Sequence, residues 1–205
     1  MKRFYAIIAL LIVGCQSEDF SLKDVMTTTT SFKGSKIFSY TGAVMTLPTG
    51  VAAVAENNYG NPDWALDYLT RMGRSFSFAL PGSIYEVSPD YGMFAQAWNI
   101  YSYAVPVVRQ FFGISPEAAE QSVLIKPLMP STWDFAELEN VRVGSNEISL
   151  FYKKNTNSYS LEVLSNKPNW NIEVQPQNGY KLLETQQPDT EKMLYTYQKS
   201  STSNE

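Results

Sequence analysis

The chain has no histidine and a single cysteine, Cys15, among its 205 residues. Without histidine there is no His-based triad and no His metal site, so carboxylates are the main general acid–base candidates. A lone cysteine excludes an intrachain disulfide and a cysteine metal cluster. Basic charge is also scarce: 16 Lys and Arg face 20 Asp and Glu, a formal net charge of −4. A surface that tracks phosphates needs clustered Lys and Arg, so no nucleic-acid partner is expected. Long apolar runs are missing as well. Phe4 to Val13 is about ten residues long, whereas a permanent transmembrane helix needs about 20.

What is present begins with that short run. Met1-Lys2-Arg3 ahead of it and Gly14-Cys15 behind it give the basic–apolar–small order of a signal peptide. Leu11-Ile12-Val13-Gly14-Cys15 resembles the lipobox of bacterial lipoproteins. The resemblance implies cleavage before Cys15, lipidation of its thiol, and anchoring at the bacterial outer membrane or cell surface. The plainer alternative is an ordinary secretory signal with a chance cysteine. Gln16-Ser17-Glu18-Asp19 resembles the acidic export tag of some Bacteroidetes lipoproteins. Loss of Lys2 and Arg3 would leave 14 basic residues against 20 acidic ones, a mature net charge of −6. An uncharged sugar polymer makes no demand on that charge. Residues 16–40, with Thr27 to Thr30 and little apolar periodicity, read as a tether.

From Tyr40 the composition shifts. Pro48 in a first-turn position after a Thr46 cap predicts a short helix over Gly50 to Glu56. Tyr59-Gly60-Asn61-Pro62 reads as a turn, and Pro62 opens a second helix. Ala65, Tyr68, Leu69, Met72 and Phe76 fall at helical spacing on its inner face. Glu56 and Asp67 are expected on helix surfaces, and Asp63 in a first turn. After a loop, Phe94, Ala97, Trp98, Tyr101, Val105, Val108, Phe111 and Phe112 form another apolar stripe, read as core, with Trp98 near the helix start either core or a platform for stacking on a sugar. Gln96, Asn99 and Tyr103 lie on its other face. Pro106 predicts a kink, and Gly113 a C-cap.

Between those helices lies PGSIYEVSPDYGMFAQAW, Pro81 to Trp98. Pro81-Gly82 and Ser88-Pro89 break regular structure, and Glu86 is the only acid before Asp90, which reads as a helix cap. A solvated surface glutamate is the plain reading of Glu86. However, GSIYEVSPDYG followed by QAWNIYSY resembles the catalytic-base segment of toroidal, six-hairpin glycoside hydrolases. These include glucoamylases and glycogen-debranching α-1,6-glucosidases. Gly82, Ser83, Glu86 and Trp98 match that segment position by position, and the likeness runs from about Thr46 to Tyr152. It implies that Glu86 is the general base of an inverting hydrolysis of α-glucan or a related polysaccharide. Trp98 and Tyr91 would then contact the sugar, with no metal and no cofactor.

From Gln121 the period changes to two. Ser122–Lys126, Val141–Val143, Glu147–Lys153, Ser158–Leu164, Trp170–Val174, Tyr180–Glu184 and Met193–Tyr197 read as strands. Gly144-Ser145-Asn146 and Asn155-Thr156-Asn157-Ser158 read as hairpin turns between them. The expected organisation is a signal peptide at 1–15, a tether at 16–40, a helical toroid remnant at 41–116, a β-sandwich at 117–197 and a frayed tail at 198–205. The expected fold class is α+β, a partial α/α toroid followed by a small antiparallel β-sandwich.

The resemblance also implies a second carboxylic acid, contributed by hairpins well before the base. Only Glu56, Asp63 and Asp67 precede Glu86 in the helical part. The expectation is therefore the C-terminal part of a glycoside hydrolase, inactive alone, with a possible partner over its incomplete helical face. The competing expectation is a non-catalytic lipoprotein for carbohydrate binding or assembly.

Overall fold

The computed structural model describes residues 44–77, 79–88 and 92–200. The expectations for Cys15, the tether, Asp90 and Tyr91 fall outside those residues. Among the described residues there are three α-helices and two mostly antiparallel sheets, plus the pair of two-residue strands β1, Val44–Met45, and β2, Val87–Ser88, so the fold is mixed α+β.

Helix α1 spans Thr46–Asn58, longer at both ends than its sequence suggested. Thr46 does not cap it. Met45 holds the cap position, and the Thr46 hydroxyl reaches away from the helix to Glu86 and Asn99. Helix α2, Pro62–Met72, has Pro62 in its first turn, Asp63 nearby and Arg71 in its last turn, each suited to the backbone charge at that end. Its buried stripe is Ala65, Tyr68, Leu69 and Met72, whereas Phe76 is exposed beyond the helix end. Glu56, expected on a surface, is only 4% exposed, and its Oε2 accepts a hydrogen bond from Asn61 Nδ2 at 3.0 Å.

Helix α3, Ala97–Val105, runs into a π-helical turn at Pro106–Phe111. Proline has no N–H to continue the α pattern, and the chain resumes bonding one residue wider, Phe112 N–H to Val107 O at 3.1 Å. The expected core stripe is overturned at its N-terminal half. Trp98 and Tyr101 are 48% and 56% exposed, while Asn99 and Ser102 on the other face are buried. Size explains the inversion. A Cβ placed on Gly50 of α1 would overlap Ser102, so the helices approach closely only through small side chains. The aromatic face of α3 at Trp98 and Tyr101 therefore turns outward, while Phe111 and Phe112 are buried in the core and Tyr103, Val107 and Val108 pack against it.

Gly113 follows with φ +69°, the conformation that lets the chain turn into strand β3, Ile114–Glu117. β3 pairs antiparallel with β4, Ser122–Ile125. The larger sheet is built from β5 (Phe135–Val143), β6 (Asn146–Lys154), β7 (Ser158–Ser165), β9 (Tyr180–Asp189) and β10 (Lys192–Lys199). Its order is β5-β6-β7-β10-β9, antiparallel throughout. β8, Asn171–Val174, returns to the smaller sheet and runs parallel to β4, which corrects the expectation of a wholly antiparallel sandwich.

Alternation decides which side is buried. Along β7, Tyr159, Leu161 and Val163 point inward with the even-spaced residues between them less buried, and Ile148, Leu150 and Tyr152 do the same on β6. The two inward polar residues at the sheet's end satisfy each other, Asn146 and Ser165 lying 3.1 Å apart. One hydrophobic cluster runs from Ala53 and Leu69 of the helices through Phe111 and Ile125 to Leu161 and Tyr197. Helices and sheets are further joined by Asp63, whose Oδ1 accepts the Ser131 N–H at 2.6 Å, and by the edge-to-face contact of Phe111 with Trp133 at 5.3 Å.

Candidate functional site

The Glu86 loop has little regular structure, so its backbone polar groups need partners from elsewhere. They find them in three layers. At its start, Ser77 N–H donates to Ser83 O at 2.7 Å, Leu80 N–H to Ser83 Oγ at 3.0 Å and Gly82 N–H to Ser77 Oγ at 3.0 Å, closing a compact turn. Gly82 adopts φ +78° there. Ile84 and Val87, both buried, then fix the chain on either side of the glutamate. Finally the two-residue strands β1, Val44–Met45, and β2, Val87–Ser88, pair antiparallel and tie the loop to the start of α1.

Glu86 is held by its own backbone. Its N–H donates to Met93 O at 2.8 Å, and its carbonyl accepts from Thr46 N–H at 2.8 Å. Fully buried Asn99 locks the return strand: Nδ2 donates to Ile84 O at 3.0 Å and to Met93 O at 3.2 Å. The Thr46 hydroxyl lies 2.9 Å from Asn99 Oδ1 and 3.1 Å from Glu86 O, with one proton to give to either. The Glu86 side chain is half-buried and folds onto the same loop, Oε2 standing 3.4 Å from Met93 N. A Cβ on Gly92, which has φ +77°, would come within 2.8 Å of that oxygen. The arrangement fixes one carboxylate against backbone while leaving part of it open to solvent. A group held this way can accept a proton from a water in front of it.

The candidate residues separate accordingly. Glu86 sits in the braced loop. Trp98, next in the chain to Asn99, is exposed at the start of α3, and Met93 and Phe94 of the loop are exposed as well. Tyr91 and Cys15 are outside the described residues. Sequence reasoning left Asn99 on a secondary face and read Thr46 as a cap; together they are the braces of the loop. A carboxamide amid an aromatic-rich helix was the available signal.

Each upstream carboxylate has one oxygen engaged: Glu56 Oε2 with Asn61, Asp63 Oδ1 with the Ser131 N–H, and Asp67 Oδ1 with Arg71 at 3.1 Å. Glu56 Oε1 is buried without a hydrogen-bond partner among the described residues. Among the described residues no group of three or more Asp, Glu, Cys or His gathers as a metal site, and no helix is long and apolar enough to cross a membrane. A separate polar cavity of about 700 Å³ opens between the helices and the smaller sheet, and Glu86 does not line it.

No protein-family model and no curated protein matches the sequence. Among solved structures, one similar chain is an alpha-L-rhamnosidase from Dictyoglumus thermophilum, a glycoside hydrolase, with a TM-score of 0.44 and 8% sequence identity. The match covers 73% of this chain and spans 21% of that one.

Proposed function

We propose that the chain is the base-bearing C-terminal part of an exported glycoside hydrolase acting on α-glucan or a related polysaccharide. Its helices are then a remnant of an α/α toroid, and its strands the β-sandwich that follows. The observation that carries the reading is the bracing of the Glu86 loop backbone by Thr46 and Asn99, which gives the residue bearing the carboxylate the fixed position that proton transfer requires. In this role Glu86 takes a proton from the water that attacks the anomeric carbon, on the face opposite the leaving group. Trp98 supplies an exposed ring for a sugar face, with Tyr91 as its companion.

Inversion also needs a general acid about 6.5–9.5 Å from the base. The engaged state of Glu56, Asp63 and Asp67 argues against each of them in that role. Positioned proton transfer contributes about 10²–10⁴-fold, so the 205-residue chain alone should hydrolyse little or no maltooligosaccharide, pullulan or rhamnoside. In a longer active relative, the Glu86→Gln equivalent should abolish turnover and keep sugar binding. An active Gln variant there would refute the base, and brisk hydrolysis by this chain would refute the missing acid.

The exposed rings of Trp98 and Tyr101 favour one other reading, a non-catalytic surface lipoprotein for carbohydrate binding or assembly. Both readings include export and a lipid on Cys15. Fatty-acid labelling of cells should mark the wild type and spare Cys15→Ser; equal labelling would exclude the anchor.

A further inference from the structure

The cavity away from Glu86 has a chemistry of its own. It lies where α1, α3 and the π-helical turn meet the smaller sheet and the Gln177–Asn178 segment, and its volume is about 700 Å³. Small-molecule sites occupy roughly 300–1,000 Å³. In a chain of net charge −4, this lining holds Arg109 and Lys126 and no carboxylate. Neither cation is paired with an acid among the described residues. Two cations without an acid partner beside one concavity give its rim a positive potential that favours an anionic ligand.

The rest of the lining points to what kind of anion. Five carboxamides, Asn57 and Gln177 among them, contribute, and each amide offers both donors and acceptors. Gln177 is already fixed. Its N–H donates to Tyr159 Oη at 2.9 Å, its Oε1 accepts Met129 N–H at 3.4 Å, and Nε2 lies 3.5 Å from Tyr152 Oη. Asn57 is fixed by Leu128 O at 3.5 Å. Tyr59 and Tyr101 stand at the mouth, 70% and 56% exposed. Paired donors and acceptors suit neighbouring hydroxyls, and an aromatic face suits the C–H face of a pyranose. The π-helical turn carries both Arg109 and Gln110 to the lining while Phe111 enters the core, a use of this rare geometry that recurs at functional sites.

We propose that this cavity binds an acidic saccharide. Arg109 and Lys126 pair with its carboxylate, the carboxamides hold its hydroxyls, and Tyr59 or Tyr101 covers a ring face. The site is independent of Glu86.

Calorimetric titration of the full chain with trigalacturonic acid, maltotriose and inorganic phosphate tests it. Trigalacturonic acid should bind saturably, at least about tenfold more tightly than maltotriose or phosphate, and less tightly as salt is added. Arg109→Ala and Lys126→Ala should each weaken binding about tenfold. Both side chains are exposed, so their urea midpoints should match the wild type. Glu86→Gln should bind as the wild type does, whatever becomes of the hydrolase reading. The proposal is overturned by no saturable binding of trigalacturonic acid, by phosphate binding equally well, by maltotriose displacing trigalacturonic acid equally well, by normal binding in both cation variants, or by loss of binding in Glu86→Gln.

Discussion

Replacing Asn99 with alanine removes the brace of the Glu86 loop at its most buried point. Asn99 is 0% exposed and makes three side-chain hydrogen bonds, to Ile84 O, Met93 O and the Thr46 hydroxyl. The losses are unequal. Met93 O keeps the Glu86 N–H at 2.8 Å, and the Thr46 hydroxyl can turn to Glu86 O at 3.1 Å. Ile84 O is left without the amide that held it. Three net bonds at about 1 kcal/mol each are partly recovered by those substitutions, while one stranded carbonyl adds about 1–3 kcal/mol. The expected cost is therefore about 3 kcal/mol, read as a lower urea midpoint at unchanged slope. Ser102→Ala, one helical turn away, removes only a local bond from its hydroxyl to Trp98 O and should cost under about 1 kcal/mol. If Asn99→Ala loses no more than Ser102→Ala, the loop does not depend on this brace.

Gly113→Ala should cost about 3 kcal/mol or more in thermal or urea unfolding, because its φ is +69° and the new methyl would overlap the Lys126 carbonyl; a near-neutral result would contradict the packing. Alkaline stability should fall in a defined window. Burial pushes the Tyr197 phenol up to about 12 and raises Tyr159 and Tyr152 as well. The folded protein therefore holds protons that the unfolded chain releases above about pH 10. Stability is intact below that pH and declines toward pH 12; Tyr197→Phe should flatten the decline, and an identical pH profile for the variant would refute the cause. Limited proteolysis should cut first between residues 73 and 96, where the two-residue β2 is the only strand among the described residues. First cleavage within β6 or β7 would reverse that ranking.

The two halves of the chain were not equally readable in the sequence. β6 and β7 alternate so regularly that their inward residues follow from period two alone. β5 was read only at Val141–Val143, because the pairing shifts between Leu138 and Val141 and Asn140 takes φ +58°, so the alternation breaks midway. β3 was missed since Pro116 and its outward residues lack any strand pattern. The stripe on α3 misled for a different reason. Hydrophobic spacing reports an apolar face, but which face docks was decided by the fit of Ser102 against Gly50 and by the Ile84 and Met93 carbonyls that Asn99 reaches. The Glu86 loop was visible from its Pro-Gly and Ser-Pro flanks. Its braces were not, since Thr46 reaches Glu86 from the far side of two helices and Asn99 bonds the Ile84 and Met93 carbonyls from a face read as secondary.

The parallel pairing of β4 with β8 has a kinetic consequence. Ser122 meets Asn171 across about fifty residues, and the β5–β6–β7 meander lies wholly inside that span. Each hairpin of the meander closes over a short turn and can form early, whereas the β4–β8 contact must wait until the meander is compact enough to bring its ends together. Substitutions at Val123 or Ile172 should then speed unfolding more than they slow folding, and those at Leu150 or Leu161 should slow folding. The β4–β8 pairing is the clasp that shuts after the meander, and the chain around Gln177 takes up its place once it has closed.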